Sequence, residues 1–254
     1  MLNKDQIAHF DTFGFVFIRN LLSESEINEL GLYAKEIFDE HNKNTGEIYP
    51  QLQPFFEINS KMDKFVVDKR VFDSVNSLLG DGFLWVGSEG NITTKSEHGW
   101  HPDRTGIENQ VNYRRLKVMF YLDQTTKEKG CLRVIPGSQN YGMHTNIRKG
   151  TDAPPDSGKD ADYIYGIKGR DFPAYFVESN PGDVLFFNQC LWHAVYNGFP
   201  GRRYLALKFA ANPENSEQIE SLNEYSASMF SPHENYLNSN DPQIRSMVDP
   251  ILKL

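Results

Sequence analysis

The first third of the chain has the hydrophobic spacing of amphipathic helices. Ser23 and Glu26 are placed as a capping box, and apolar residues then recur at helical period: Ile27, Leu30, Ala34, Ile37 and Phe38. A second helical pattern runs from about Asn59 to Gly80, a residue type that commonly ends helices. Ahead of both, residues 14–18 are apolar and indicate a short strand after a brief helix. The pattern therefore predicts α-helices on the N-terminal side of the fold.

From about residue 83 the pattern changes to short apolar runs that are separated by turn residues. The clearest runs are residues 83–86, 116–122, 131–135, 183–187 and 204–209. Because no helical pattern alternates with these strands, they predict an antiparallel sandwich or jelly roll and not a parallel βαβ sheet. We expect a mainly β fold with flanking N-terminal α-helices, and we see no linker that would divide residues 1–254 into two domains.

One long polar stretch interrupts the strand pattern between about Gln139 and Val177. Its centre, residues 151–158, is rich in proline, aspartate and glycine. Long irregular loops inside a compact domain are usually functional lids or disordered segments. The sequence therefore predicts a lid at about residues 139–177.

Charge and composition exclude several classes of partner. The formal net charge is −8, and no basic run is longer than Arg114-Arg115 or Arg202-Arg203, which argues against nucleic acid as a partner. No apolar run is long enough to span a bilayer, and the N-terminus lacks the apolar core of a secretion signal. We therefore expect a cytoplasmic protein that binds a small molecule. Cys131 and Cys190 lie in apolar runs, so two buried thiols are favoured over a disulfide, which the sequence leaves possible.

The sequence His101-Pro102-Asp103, followed far downstream by His193, supplies two imidazoles and one carboxylate. This ligand set is typical of non-haem Fe(II) sites that activate oxygen. If His101 and Asp103 lie on one strand, they project from the same face and converge on one ion. His193 follows the strand of residues 183–187 and could reach that ion from a neighbouring strand. The alternative is a surface turn, because proline and aspartate are both turn formers.

An arginine pair downstream of His193 adds an anion-binding candidate. A guanidinium can hold a carboxylate through two parallel hydrogen bonds, which lysine cannot do. Arg202 and Arg203 are adjacent, so on a strand only one of them can point into a cavity. The residues alone leave the choice between the two open, and a surface arginine pair remains the plainer alternative.

Taken together, these motifs resemble the phytanoyl-CoA dioxygenase family over roughly residues 5–210. The most distinctive segment is Gly130-Cys131-Leu132-Arg133-Val134-Ile135-Pro136-Gly137-Ser138. The resemblance implies a double-stranded β-helix that binds Fe(II) and uses 2-oxoglutarate as co-substrate with O2. It matches His101, Asp103 and His193 to the metal ligands and Arg202 to the arginine that binds the distal carboxylate of 2-oxoglutarate. Arg203 stays an alternative, because the interval from His193 to Arg202 is slightly shorter than in some members.

Three further residues are weaker candidates. Lys117 and Thr93 could contact the carboxylates of 2-oxoglutarate from neighbouring strands, although Lys117 is also compatible with an exposed sheet edge. Arg104 could bind an anionic substrate at the cavity mouth, and a solvated arginine explains it equally well. His98 is close to the proposed ligands in sequence, but we do not expect it to bind the metal.

The resulting hypothesis is an Fe(II)- and 2-oxoglutarate-dependent dioxygenase. It would hydroxylate a C–H bond of a small metabolite and release succinate and CO2. The alternative is a non-catalytic double-stranded β-helix protein that binds a metal or a metabolite. A zinc hydrolase with the same ligands is a poorer interpretation, because nothing marks a general base beside the site. The absence of a long basic patch favours a substrate smaller than a coenzyme A ester.

Overall fold

A computed structural model describes residues 2–94, 97–153, 159–223 and 232–254. Its α-helices are α1 (Lys4–Phe13), α2 (Glu24–Thr45), α3 (Asp63–Val66), α4 (Lys69–Leu79), α5 (Glu108–Asn112), α6 (Tyr141–Gly150), α7 (Ser216–Asn223), α8 (Glu234–Leu237) and α9 (Pro242–Val248). Short 3₁₀ helices lie at Phe56–Ile58, Ser60–Met62, Gly169–Asp171 and Asp249–Lys253. The strands are β1 (Phe15–Ile18), β2 (Gln51–Leu52), β3 (Leu84–Thr93), β4 (His98–His101), β5 (Arg115–Tyr121), β6 (Leu132–Val134), β7 (Tyr163–Ile164), β8 (Ile167–Lys168), β9 (Tyr175–Val177), β10 (Val184–Asn188), β11 (His193–Val195) and β12 (Arg202–Ala210).

Two antiparallel sheets form the core of the described structure. The larger has the strand order β1-β10-β5-β12-β3-β2 and the smaller has the order β4-β11-β6-β9, while β7 and β8 form a separate hairpin. The chain passes repeatedly between the two sheets, from β3 to β4 to β5 to β6 and again from β10 to β11 to β12. This winding is that of a double-stranded β-helix, so the predicted mainly β fold is confirmed.

Alternating side chains divide the larger sheet into an outer and an inner face. On β5, Val118 and Phe120 belong to the cluster that packs against the N-terminal helices. Met119 and Tyr121 point the other way and pack with Leu132 of the smaller sheet. Because strand residues alternate between faces, helices cover one side of this sheet and the other side faces an enclosed interior.

The predicted N-terminal helices are confirmed at their caps. The Ser23 side chain accepts a hydrogen bond from the Glu26 amide, and the Ser23 amide donates one to the Glu26 carboxylate, as the capping-box spacing predicts. The apolar positions of α2 are the buried ones: Ile27, Leu30, Ala34, Ile37 and Phe38. Among the described helices, none is both long and apolar enough to cross a membrane.

The single helix predicted from Asn59 to Gly80 is wrong. The segment instead contains a 3₁₀ turn, the short helix α3 and then α4. Asp68 starts α4 as an N-cap, with its side chain accepting the Arg70 amide at 2.8 Å. Phe65 and Val71 on the two sides of this break pack into the same core cluster, so the apolar spacing continues while the helix does not.

The polar stretch at residues 139–177 is not irregular where the structure describes it. It contains α6, the β7–β8 hairpin, a 3₁₀ turn and β9, and its residues 154–158 lie outside the described part of the chain. Ala161 forms a β-bridge with Trp100, through N–H···O distances of 3.1 and 2.9 Å, and so extends the edge of β4. The polar composition predicts a loop here because α6 is a short surface helix that buries only His144 and Ile147 and so has little apolar periodicity. The lid function stays a prediction.

Both cysteines are buried free thiols, as the favoured interpretation expects. Burial raises the pKa of Cys131 to about 11. The disulfide that the sequence left possible is absent.

Candidate active site

The two histidines of the proposed ligand set face each other across the smaller sheet. His193 on β11 is the register partner of His101 on β4, and their ring centroids lie 4.3 Å apart. The Nε2 atom of His193 is 3.7 Å from Oδ1 of Asp103. One donor atom from each of the three residues lies within 4.8 Å of the others. The three side chains therefore converge on a space that could hold one metal ion.

Asp103 reaches this space by a route that the sequence did not predict. Strand β4 ends at His101, and Asp103 lies in a bend after Pro102. The expected strand geometry is therefore wrong, because proline provides no N–H for the ladder and the backbone turns away from β11. The bend is nevertheless not a surface turn, since the Asp103 side chain is only 15% exposed.

Backbone carbonyls fix the orientation of both imidazoles. His193 Nδ1 lies 2.9 Å from the Leu191 carbonyl and His101 Nδ1 lies 2.8 Å from the Gly99 carbonyl. A carbonyl can only accept, so each Nδ1 carries the proton and each Nε2 keeps a lone pair for a metal. Burial, reinforced by the neighbouring His101, lowers the pKa of His193 to about 3, so this imidazole is neutral.

Asp103 is held in its charged form. Burial alone would raise its pKa, but the Lys117 ammonium and the nearby imidazoles outweigh burial and lower the pKa of this carboxyl. Its Oδ2 atom is buried and has no hydrogen-bond partner, although Lys117 Nζ lies 3.3 Å away. Two imidazoles and one oxygen of an ionised carboxylate are the donors that fit a divalent cation such as Fe(II).

These donors open into a cavity between the two sheets, with a volume of about 320 Å³. Its polar wall includes Glu89, Asn91, Thr93, Lys117, Arg202 and Lys208, and its apolar wall includes Met119, Leu132, Phe187 and Val195. The cavity is therefore lined by both charged and apolar side chains.

The structure separates the two candidate arginines. Arg202 lines the cavity and is 5% exposed, with Nη1 donating to the Gly130 carbonyl and Nε buried without a partner. Arg203 points to the opposite face, where its Nη2 and Nε bind the two carboxylate oxygens of Asp123 at 2.8 and 3.1 Å. Strand alternation thus leaves Arg202 as the guanidinium available to an anion in the cavity.

Thr93 and Lys117 both line the cavity, at different levels of it. Thr93 is the register partner of Arg202, whereas Lys117 is the partner of Lys208, six residues further along β12. At about 3.4 Å per residue the two levels are roughly 20 Å apart along the strand. Since β5 lies between β10 and β12, the alternative of an exposed edge for Lys117 is wrong.

Arg104 does not belong to the cavity wall as far as the described residues define it. Its amide donates to the Gln189 carbonyl at 2.9 Å. Burial raises the pKa of the Cys190 thiol, and the charges of Arg115 and then Arg104 oppose this rise. Its expected contact with substrate at the cavity mouth is therefore not supported by its position.

Sequence reasoning missed three buried polar residues of the cavity, Glu89, Asn91 and Lys208. Glu89 binds Lys117 at 2.8 Å and Lys208 at 2.7 Å, and the Asn91 Nδ2 atom is buried without a partner. A signal was present: Glu89, Asn91 and Thr93 alternate along β3, as side chains on one face of a strand do. The apolar run predicts a strand that ends at residue 86, before these three alternating positions begin.

At the cavity mouth, part of the predicted lid contacts the rim. Asp160 Oδ2 lies 3.3 Å from Nδ1 of the exposed His98, and Arg170 pairs with Glu97. His98, His101 and Asp160 form a second group with metal-ligand spacing. His98 is nevertheless on the Nδ1 side of His101, 3.1 Å from that atom, and so does not join the set around Nε2.

Comparison with known proteins identifies the family of this chain. The family model for phytanoyl-CoA dioxygenase matches residues 10–197, a range that includes His101, Asp103 and His193 and ends before Arg202. The chain belongs to the phytanoyl-CoA dioxygenase family. It is therefore a member of the Fe(II)- and 2-oxoglutarate-dependent oxygenases, whose cofactors are Fe(II), 2-oxoglutarate and O2.

Solved structures share the fold at low sequence identity. HygX from Streptomyces hygroscopicus, with nickel and 2-oxoglutarate bound, is 18% identical with a TM-score of 0.62, over 83% of this chain and 88% of HygX. The carbocyclase SnoK from nogalamycin biosynthesis is 16% identical with a TM-score of 0.61, over 83% of this chain and 84% of SnoK. EctD from S. alaskensis is 18% identical with a TM-score of 0.59, over 83% of this chain and 77% of EctD. No curated protein sequence matches this chain.

Proposed function

We propose that this family member is a hydroxylase that inserts oxygen into a C–H bond of a small metabolite. The observation that carries the proposal is the convergence of three metal donors in a cavity that also holds a buried guanidinium. A protein that only stored a metal would have no need for an anion-binding arginine in the same cavity. The family membership supports the reaction class, and hydroxylation is its simplest outcome.

The proposed roles follow from where each group lies. His101, Asp103 and His193 would hold the iron, and Arg202 would receive the distal carboxylate of 2-oxoglutarate, with Thr93 at its side. Iron bound there supplies the oxidation of a C–H bond by O2, coupled to the conversion of 2-oxoglutarate to succinate and CO2.

The protein's own contribution is orientation and exclusion of water. The Leu191 and Gly99 carbonyls hold the imidazoles in one tautomer, so the donors do not have to reorganise when the metal binds. Met119, Leu132 and Phe187 form an apolar wall beside the donors. Such a wall limits the access of water to a reactive centre.

Cavity size supports a small substrate. The volume of about 320 Å³ is near the lower end of the range for ligand pockets, and co-substrate and substrate would have to share it. A coenzyme A ester would need its carrier outside the cavity, and the chain has no long basic run to bind one. Small metabolites are therefore the class to test.

A product assay with isotopically labelled O2 tests the proposal. The protein, Fe(II) and 2-oxoglutarate are incubated with a panel of small metabolites, and succinate and product masses are measured. A hydroxylase gives a product that has gained one labelled oxygen atom, in step with succinate. A product of unchanged mass would indicate epimerisation instead of hydroxylation, and a product that has lost two hydrogens would indicate ring closure. The His193→Ala variant should release no succinate.

The non-catalytic alternative has its own outcome in this assay. A binding protein would take up Fe(II) or 2-oxoglutarate but release no succinate with any substrate, even over long incubation. Uncoupled succinate release in the absence of substrate, lost in His193→Ala, would exclude that alternative.

A further inference from the structure

The two carboxylate oxygens of Asp103 face different partners. Oδ1 lies 3.7 Å from Nε2 of His193, on the side where the three donors converge. Oδ2 lies 3.3 Å from Nζ of Lys117. The carboxylate is therefore turned so that one oxygen faces the metal space and the other faces an ammonium.

Lys117 is itself held by a buried ion-pair cluster. Glu89 on β3, Lys117 on β5 and Lys208 on β12 lie on neighbouring strands of the larger sheet, and Lys117 and Lys208 are direct register partners. Glu89 Oε1 lies 2.8 Å from Lys117 Nζ, and Oε2 lies 2.7 Å from Lys208 Nζ. The side chains are 10%, 4% and 4% exposed for Lys117, Glu89 and Lys208.

This cluster would be unfavourable without Glu89. Two like charges directly opposite each other on paired strands are destabilising, and burial of an ammonium requires a partner. Glu89 offsets both effects, one oxygen for each lysine, and Gln53 donates a further hydrogen bond to its Oε2 at 3.0 Å. The carboxylate thereby fixes the Lys117 ammonium at a single place beside Asp103.

We propose that Lys117, anchored by Glu89, is a positioning residue that keeps Asp103 a one-oxygen metal ligand. A carboxylate can bind a metal through one oxygen or through two. Lys117 holds Oδ2 away from the metal space, so the second oxygen does not occupy a position that the co-substrate needs. The inference rests on the proposed metal site and assigns Lys117 to Asp103 instead of to 2-oxoglutarate.

Lys208 provides a matched control within the same cluster. It is also a buried lysine, it binds the other oxygen of Glu89, and its charge acts on Asp103 less strongly than that of Lys117. Lys117→Met and Lys208→Met each leave Glu89 paired with one lysine and remove one buried charge. The two variants therefore perturb packing and charge alike and differ in the contact with Asp103.

The test is anaerobic titration of the full chain with Co(II), first alone and then with 2-oxoglutarate. The visible absorption of Co(II) weakens as its coordination number rises. For Lys117→Met we expect weaker Co(II) absorption than in the wild type before any co-substrate is added. We also expect 2-oxoglutarate to bind about 10- to 100-fold more weakly, the usual effect of losing an outer-shell partner. Lys208→Met should keep the wild-type spectrum.

Several results would overturn the inference. Equal spectral changes in the two methionine variants would show a general effect of the ion-pair cluster. An unchanged Lys117→Met spectrum would show that Lys117 does not determine how Asp103 binds the metal. If Lys117→Met does not fold, Glu89→Gln is measured instead. The Co(II) absorption of Glu89→Gln should lie between that of the wild type and that of a site in which Asp103 binds through both oxygens. A wild-type spectrum in Glu89→Gln would contradict the proposal. Failure of the wild type to bind Co(II) would remove the metal site itself and with it both proposals.

Discussion

Replacement of Arg202 by methionine tests the co-substrate site most directly. Methionine keeps the length and apolar part of the side chain and removes the guanidinium. Arg203→Met is the matched control, because it removes the same group from the next residue on the opposite face of β12. If Arg202 binds 2-oxoglutarate, the first variant loses co-substrate affinity and the second keeps it.

The expected magnitude follows from the burial of each guanidinium. Arg202 is 5% exposed, and truncation of one partner of a buried charged pair costs about 2–5 kcal/mol. At about 1.4 kcal/mol per tenfold, the affinity for 2-oxoglutarate should fall roughly 30-fold to several thousand-fold. The Arg203 side chain is 38% exposed, and its pair with Asp123 is of the type that contributes about 0–1 kcal/mol to stability. Its loss should leave co-substrate affinity unchanged.

The assay is anaerobic titration of the Fe(II)-loaded protein with 2-oxoglutarate, followed by the visible charge-transfer band of the chelate. Fe(II) affinity without co-substrate is measured alongside and should be the same in both variants, since neither arginine is a donor. Arg202→Lys should bind with intermediate affinity, because it keeps the charge and loses the two-pronged hydrogen bonds. Wild-type affinity in Arg202→Met, or a loss confined to Arg203→Met, would refute the assignment.

Three further predictions concern stability and reactivity. Asn91→Leu removes a buried amide nitrogen that has no hydrogen-bond partner, so the free energy of unfolding of the ligand-free protein should rise by about 1 kcal/mol in chemical denaturation. Ligand binding in the cavity should weaken, and a loss of stability would contradict this prediction. Burial raises the pKa of Asp63 from 3.8 to about 6, so its contribution to stability is greatest below pH 3.8 and is lost as the pH rises through about 6. Asp63→Asn should therefore flatten the dependence of unfolding free energy on pH in that window and stabilise the protein at neutral pH, and an unchanged profile would refute the argument. Cys131 and Cys190 should resist alkylation in the native protein and react after unfolding, as followed by mass spectrometry.

The three candidate metal donors could be selected from the sequence because their identities are chemical and do not depend on exact geometry, and the structure brings them together. Two histidines and a carboxylate near short strands are a ligand set that few metal sites share. The set can therefore be recognised even though the strand geometry expected for Asp103 is wrong. The choice between Arg202 and Arg203 could not be made in the same way. The strand that carries them is apolar on both faces, so only the folded partners, Gly130 for one and Asp123 for the other, separate them.

The buried charges of the cavity were beyond prediction for a different reason. Glu89, Lys117 and Lys208 are far apart in sequence and become neighbours only through the pairing of β3, β12 and β5. An isolated lysine in an apolar run is compatible with an edge strand. Only the folded structure, in which Glu89 pairs with Lys117 inside the sheet, shows that the lysine is buried. Long-range strand register is what a single sequence specifies least clearly, since the alternating pattern fixes faces and not neighbours.

The same cluster also bears on why the interior of this fold is not simply hydrophobic. Replacing a buried ion pair by apolar residues of similar volume is often neutral or stabilising by about 1–4 kcal/mol. Stability alone is therefore a weak reason for a sheet to bury Glu89 between two lysines. The outer face of the same strands, with Val118 and Leu207, packs against helices without charged groups at those positions. The charges lie on the face that opens to Asp103 and the cavity, where their placement serves the metal donors.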